Sequence, residues 1–256
     1  MPDSNTSDEI RILGVRFLRG TAAGAVARTL KGGFVVAPSG PGLAELKEHP
    51  AYREALSGAD YALTDSAFMV LVWRLLKRER VLRVSGLEYL VELLRQPALR
   101  EPGAVFWAMP SAAAMERNIA WLRENGHPVT PDDCYVAPQY PAGEIADPVL
   151  LKILERKRPA HVIVAVGGGV QERLGFYLKR NLSWRPRIHC IGAAIGFLTG
   201  DQVNIPMWAD HFFLGWLLRC LSKPSTFIPR YWRARKLFGL MWKYGSESPQ
   251  DPDGNR

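Results

Sequence analysis

Asp65 closes a short apolar run, Tyr61-Ala62-Leu63-Thr64, and stands directly before a helical pattern that begins at Ser66 or Ala67. A carboxylate at the carboxyl end of a strand faces the crevice where α/β sheets bind ligands, and it could act there as a general base toward a hydroxyl. The plainer reading makes Asp65 the N-cap of the helix that follows. A second candidate is the turn Gly167-Gly168-Gly169, followed by Val170-Gln171-Glu172, between a strand-like and a helix-like segment. Glycines let backbone N–H groups come close to a phosphate at a helix N-terminus. The spacing is not G-x-G-x-x-G, because the third glycine would fall at Glu172, and no Lys-Ser/Thr pair follows as in a P-loop. An ordinary strand–helix turn fits equally well. Gln171 and Glu172 could hold a ribose or a base, or Glu172 could simply complement the helix dipole. Arg83 could grip a phosphate with two parallel hydrogen bonds, against the default of a surface ion pair. The five histidines lack metal-ligand spacing, so they read as structural or surface residues and no metal site is expected. Neither a G-x-S-x-G sequence nor a Cys/His arrangement supports a hydrolase.

The elements that must position these residues alternate. Strand patterns at Arg11–Phe17, Gly33–Ala37, Asp60–Thr64, Ala104–Ala108, Cys134–Ala137, His161–Val166 and Arg187–Ile191 are separated by helical ones. The helical patterns cover Thr21–Leu30, Gly42–Leu56, Ala67–Leu76, Leu87–Leu94, Ala112–Glu124, Val149–Lys157 and Gln171–Asn181. Such alternation implies an α/β fold with a mostly parallel sheet covered by helices on both faces. Ligands of such sheets bind at the carboxyl ends of the strands, near Ala37–Gly40, Thr64-Asp65, Met109–Ser111, Gly167–Gln171 and Gly192–Gly196.

After Gly200 the strands stop, and two helices are expected, Met207–Leu221 and Pro229–Tyr244. On the second, Phe227, Tyr231, Ala234, Phe238, Met241 and Trp242 fall on one face. Seven Lys/Arg against Asp210 alone lie between Pro206 and Tyr244, which is +6 of the net charge of +8, together with ten of the 26 aromatic residues. Basic and aromatic residues gathered in one terminal segment suit an anionic bilayer better than the spread-out basic groove of a nucleic-acid-binding protein. No run reaches the length of a membrane span, no secretory leader is present, and Cys134, Cys190 and Cys220 read as reduced thiols, so a cytoplasmic setting is expected. The expected organisation is a loose stretch at 1–9, an α/β core at 10–204, a basic aromatic helical appendage at 205–244 and a loose tail at 245–256.

Seven segments in order resemble the WecG/TagA/CpsF glycosyltransferases, glycosyltransferase family 26. The family's I-L-G-V-x-F stands as Ile12-Leu13-Gly14-Val15-Arg16-Phe17, and its A-D-x-x-x-x-D-G as Ala59-Asp60 through Asp65-Ser66. Its R-V-x-G-x-D-L stands as Arg83-Val84-Ser85-Gly86-Leu87-Glu88-Tyr89, and its G-x-G-x-P-K-Q-E ends on Gln171-Glu172. Further matches are Ile195–Gly200, Ile205–Trp208, and Leu214–Arg219 with Pro224, Arg230 and Tyr231. The resemblance implies a Rossmann-like core with a C-terminal membrane-docking appendage, and inverting transfer from a UDP-sugar to a polyprenyl-diphosphate-linked sugar without a metal cofactor. Asp65 takes the place of the base. The donor site falls on Gly167, Gly168, Gly169, Gln171 and Glu172, and acceptor or diphosphate binding on Ser39, Arg83, Arg219 and Arg230. Arg233, Lys236, Phe238, Trp242 and Lys243 are the implied docking residues, on the inner face of the plasma membrane. The resemblance also allows a homo-oligomer.

The family's Thr and Asn after the second strand are Ala37 and Ser39 here, its Pro-Lys before Gln-Glu is Gly169-Val170, and two of its acids are Gly196 and Gly215. Losing polar groups around a crevice points to a different donor sugar. The alternative is an inactive homologue that binds a lipid-linked intermediate or recruits a partner enzyme.

Overall fold

The computed structural model describes residues 8–192, 194–200, 232 and 234–249. The helix expected at Met207–Leu221, residues 229–231 and 233 of the Pro229–Tyr244 pattern (Arg230 and Arg233 among them), and Arg219 and Cys220 lie outside the described residues. Eight strands form one sheet in the order β1-β2-β4-β3-β8-β7-β5-β6. β1 (Glu9–Ile12) and β2 (Val15–Leu18) pair antiparallel. The other pairings are all parallel, through β3 (Phe34–Val36), β4 (Tyr61–Ala62), β5 (Val105–Met109), β6 (Cys134–Val136), β7 (His161–Val164) and β8 (Arg187–Cys190). This is the expected α/β class.

Alternation along the strands builds a core on each face. Phe34, Val36, Phe106, Ala108, Val162 and Val164 point to one side. There they meet α2 (Gly40–Ala44), α3 (Pro50–Ser57), α4 (Ala67–Lys77), α7 (Pro148–Lys157) and α8 (Val170–Asn181). Val35, Val105, Trp107, Met109 and Ile163 point to the other side. They meet α1 (Ala22–Thr29), α5 (Gly86–Leu94), α6 (Ala112–Glu124) and α9 (Ala194–Leu198).

The second core encloses a polar chain. Thr29 Oγ1 donates to Val26 O (3.1 Å) and lies 2.6 Å from the Tyr89 hydroxyl. That hydroxyl lies 2.9 Å from His189 Nδ1, and His189 Nε2 lies 3.0 Å from His161 Nδ1. Because the Thr29 proton is committed to a carbonyl, Tyr89 donates to Thr29, His189 Nδ1–H donates to Tyr89, and His161 Nδ1–H donates to His189 Nε2. Every member is then neutral, and one further proton on His189 would set a donor against a donor. Burial pulls the His161 pKa down to about 4 and that of His189 well below its ordinary value, with Arg187 adding to both.

Three boundaries differ from expectation. Arg11–Phe17 is not one strand: Leu13 and Gly14 both have positive φ and form a two-residue hairpin turn between β1 and β2. Gly42–Leu56 is not one helix: α2 ends at Ala44, and α3 starts afresh on Pro50, whose ring fits a first helical turn and cannot sit in a helix interior. The loose ends are shorter than expected. Glu9 opens β1, while Gly245 O and Ser246 O accept the Leu13 and Gly14 amides at 2.9 and 3.0 Å.

The last helix, α10 (Lys236–Tyr244), packs on α2 and α4. Its buried face is Ala234, Leu237 and Met241, whereas Phe238 and Trp242 are exposed. The single apolar face expected for this segment is therefore split. A spacing of three or four residues puts 234, 237 and 241 on the core and turns 238 and 242 outward. Among the described residues, no helix is long and apolar enough to cross a membrane.

Candidate active site

The carboxyl ends of β3, β4, β7 and β8 converge on two adjoining features, a cleft and a shelf. The cleft encloses about 780 Å³ between the start of α2, the α2–α3 connection, the Ala142-Gly143 loop and the Gly167–Gly169 turn. Ser39 lines it and caps α2 through Gly42 N (3.3 Å). Among the described residues, a Cβ added at Gly167, Gly168 or Gly169 would meet no atom within 4 Å, so this turn leaves open space above its backbone. Gly169 also has φ of 87°, a conformation that favours glycine.

Gln171 and Glu172 stand behind the turn rather than in the cleft. Glu172 is fully buried, accepts Gly169 N–H at 2.7 Å and Gln171 Nε2–H at 3.0 Å, and so completes a capping box for α8. Burial pushes its carboxyl up to about 7, against the pull of these donors. Gln171 accepts the Gly192 amide through Oε1, joining the start of α8 to the segment after β8. Arg173, one turn along, reaches over the glycine turn. Its Nε–H donates to Gly169 O at 2.8 Å, and its Nη1 donates to Pro141 O at 2.8 Å and to Gly143 O. It thereby ties the two walls of the cleft together and lines the space between them.

The shelf holds Asp65. Ser66 Oγ, not Asp65, caps α4 by accepting Met69 N–H at 3.2 Å. Thr64 is fully buried, donates to Leu82 O (2.7 Å) and accepts Val84 N–H (3.0 Å), clamping the end of β4 to the segment before α5. Asp65 Oδ1 accepts the amide of Gly86, the first residue of α5, at 3.0 Å. The positive end of that helix supports the ionised carboxylate. Arg83 Nε–H donates to Asp65 O at 2.8 Å, and its Nη2 is 3.9 Å from Oδ1. The Asp65 and Arg83 side chains keep 28% and 15% of their exposure respectively, so both remain reachable from solvent. A Cβ on Gly86 would come within 3.1 Å of Ile191 O, so α5 starts this close to the end of β8 only because that residue is glycine.

Asp65 and Arg83 do not line the cleft. They adjoin it through Gly40 and Ser66, where a Cβ on Gly40 would lie 2.8 Å from Ser66 Oγ. The structure thus brings together Ser39, the glycine turn, Asp65 and Arg83, while Phe238, Trp242 and Lys243 stand apart on α10. Lys236, also on α10, reaches back to the cleft, with Nζ 3.4 Å from Glu48 Oε1. Among the described residues no cluster of three or more His, Cys, Asp or Glu side chains is arranged to hold a metal.

The acidic, basic and imidazole side chains of the cleft, Glu45, Glu48, His49 and Arg173, are not among the candidates that the sequence marks. The first three were hidden inside a helix that does not exist, and Pro50 was the overlooked signal. Arg173 follows the Gln-Glu pair by one position, and its charge at the start of a helix could have marked it.

The model of the Glycosyl transferase WecG/TagA/CpsF family matches residues 10–250. The chain belongs to that family. The matched span contains both the cleft and the shelf, together with α10. The chain is also 25% identical over 214 residues to the N-acetylglucosaminyldiphosphoundecaprenol N-acetyl-beta-D-mannosaminyltransferase of Bacillus spizizenii, covering 78% of this chain and 77% of that relative.

Proposed function

We propose that this member of the family transfers a hexose or N-acetylhexosamine, with inversion, from a UDP-sugar to a polyprenyl-diphosphate-linked saccharide in cell-surface polysaccharide synthesis. The observation that carries this reading is Asp65. It is relieved of capping by Ser66, oriented by the Gly86 amide and Arg83, and set beside an open glycine-lined cleft. The relative from Bacillus spizizenii, by its name, acts on a lipid-diphosphate-linked N-acetylglucosamine, which supports an acceptor of that kind.

In this reading the nucleotide lies in the cleft against Gly167–Gly169, with Arg173 near its diphosphate. Gln171 and Glu172 shape the turn from behind. Asp65 removes the proton of an acceptor hydroxyl as that oxygen attacks the anomeric carbon, and the bond from that carbon to UDP breaks on the opposite face. Arg83 lies beside the reacting carboxylate, where it offsets negative charge as the diphosphate leaves. The diphosphate is met by guanidinium groups, with no divalent cation required. Arg219 and Arg230, from the appendage, are the further diphosphate-binding residues of this reading.

The exposed Phe238 and Trp242, with Lys236 and Lys243 on the same helix, suit docking on the anionic inner face of the plasma membrane. Arg233 is assigned to the same docking role. The test is thermal-shift binding against UDP-, GDP- and dTDP-sugars, followed by transfer to a lipid-linked acceptor. Stabilisation by UDP and one UDP-sugar, with product formed, is expected. Binding without turnover would favour the recruiting homologue instead, and silence toward every uridine nucleotide would remove the donor site.

A further inference from the structure

Among the described residues, helix α4 carries an apolar face that no other element covers. Met69, Val70, Val72 and Trp73 are buried in the core, as an amphipathic helix requires. The opposite side should then be polar. Instead Phe68, Leu71 and Leu75, spaced by three and four residues, form one outward stripe, with Leu75 70% exposed. Leu82, on the segment that returns toward the shelf, is 52% exposed. Apolar residues aligned in this way differ from the scattered exposed leucines of ordinary surfaces.

The rim of the stripe is cationic. Arg74, Lys77, Arg78 and Arg80 are all exposed, and Glu79, the acid among them, is half-buried and accepts hydrogen bonds from Trp73 Nε1 (3.0 Å) and Arg19. Helix α10 packs against α4 and adds its exposed Phe238 and Trp242, stacked with ring centres 6.4 Å apart. An apolar centre with a basic rim, on a helix packed against one that carries exposed aromatics, has the chemistry of a helix lying in the interface of an anionic bilayer. A second protein copy would have to bring both an apolar and an acidic patch.

We infer that α4 is itself a membrane-contacting element, with Phe68, Leu71, Leu75 and Leu82 entering the headgroup region of an anionic bilayer. This goes beyond the appendage, because the contact lies in the catalytic core. Asp65 immediately precedes the N-cap of α4, and Arg83 follows Leu82, so seating this face on lipid sets the candidate base at headgroup depth, where a lipid diphosphate lies. The functional consequence rests on the lipid-linked acceptor reading. The contact itself does not.

The experiment is flotation of the full chain with phosphatidylglycerol–phosphatidylcholine vesicles and with pure phosphatidylcholine, without nucleotide or acceptor. The variants are Leu71→Ser/Leu75→Ser and, as a control on an exposed apolar residue elsewhere, Val149→Ser on α7. The double variant is expected to keep the wild-type melting point and to partition about tenfold more weakly into anionic vesicles. Val149→Ser should partition like wild type. Unchanged partition of the double variant overturns the inference. So does a change confined to its oligomeric state by light scattering, which would mark the stripe as a face for a second copy.

Hydrogen exchange of the wild-type chain with and without vesicles needs no substitution and guards against a misfolded variant. Protection of the α4 peptide is expected, and protection confined to α10 would also overturn the inference. If the stripe binds vesicles but no UDP-sugar is ever turned over, the transferase reading fails and the docking inference stands.

Discussion

Arg83 holds Asp65 chiefly by its backbone: Nε–H donates to the Asp65 carbonyl at 2.8 Å, whereas the guanidinium approaches the carboxylate only to 3.9 Å. Position and charge at residue 65 are therefore separable. Asp65→Asn retains an oxygen for the Gly86 amide and the carbonyl for Arg83, so it should fold normally and lose about 10²-fold or more in transfer rate. Arg83→Lys keeps the charge but loses the planar fork, and should cost about tenfold or more in rate. Steady-state kinetics beside melting curves tests both, and a near-wild-type rate from Asp65→Asn removes that residue from the mechanism.

His161 and His189, the buried pair of the polar chain, make the fold acid-sensitive, and burial of His127 acts in the same direction. Their pKa values are depressed in the folded state, that of His161 to about 4, so the unfolded chain binds more protons between that value and the ordinary 6.5. Stability is full above about pH 6.5 and is lost as pH falls toward 4. Glu172 works in the opposite direction. Its carboxyl is raised to about 7 from 4.5, so folding gains from its protonation as pH falls through that window. For His161, His189 and Glu172 together the net loss should approach one proton, or about 1.4 kcal/mol per pH unit, His127 adds to it, and Glu172→Gln should steepen it. Denaturant titrations at several pH values check both slopes.

The two sides of α10 should respond differently. Leu237 is fully buried, so Leu237→Ala should cost about 2–5 kcal/mol. Trp242 is 74% exposed, and Trp242→Ala should leave the melting point unchanged while weakening attachment to anionic vesicles. Deleting the chain from Pro206 onward would also remove Leu237 and Met241 from the core, so point substitutions are the informative probes.

Arg173 joins the glycine turn to the Pro141–Gly143 loop and lines the cleft, so Arg173→Met should weaken nucleotide binding by about tenfold or more. The thermal shift given by UDP reads this directly. Chelation with EDTA should leave transfer by the wild-type chain unchanged, and a metal-dependent rate would overturn the guanidinium reading.

Strand–helix alternation made the layered sheet legible in the sequence, because burial on both faces of parallel strands leaves short apolar runs such as Val105–Met109 and His161–Val164. The place of Asp65 between β4 and α4 was legible for the same reason. The cleft wall was not. Glu45, Glu48 and His49 have helix-compatible side chains, and only Pro50 betrays the break. Nor could composition separate the faces of α10, because Phe238, Met241 and Trp242 are equally apolar and only packing on α2 and α4 decides which are covered. The inward turn of Gln171 depends on a partner, Gly192, that is distant in sequence.

The pairing of Leu13 and Gly14 with Gly245 and Ser246 joins a hairpin to a segment far downstream in sequence. During synthesis the hairpin is made before α10, so its turn amides gain these partners only after the whole intervening sheet has emerged. The core face beneath α10 likewise waits for that helix. The folded enzyme is thus completed by the same helix that carries its aromatic outer surface, so an incomplete chain lacks that surface together with the final closure of its core.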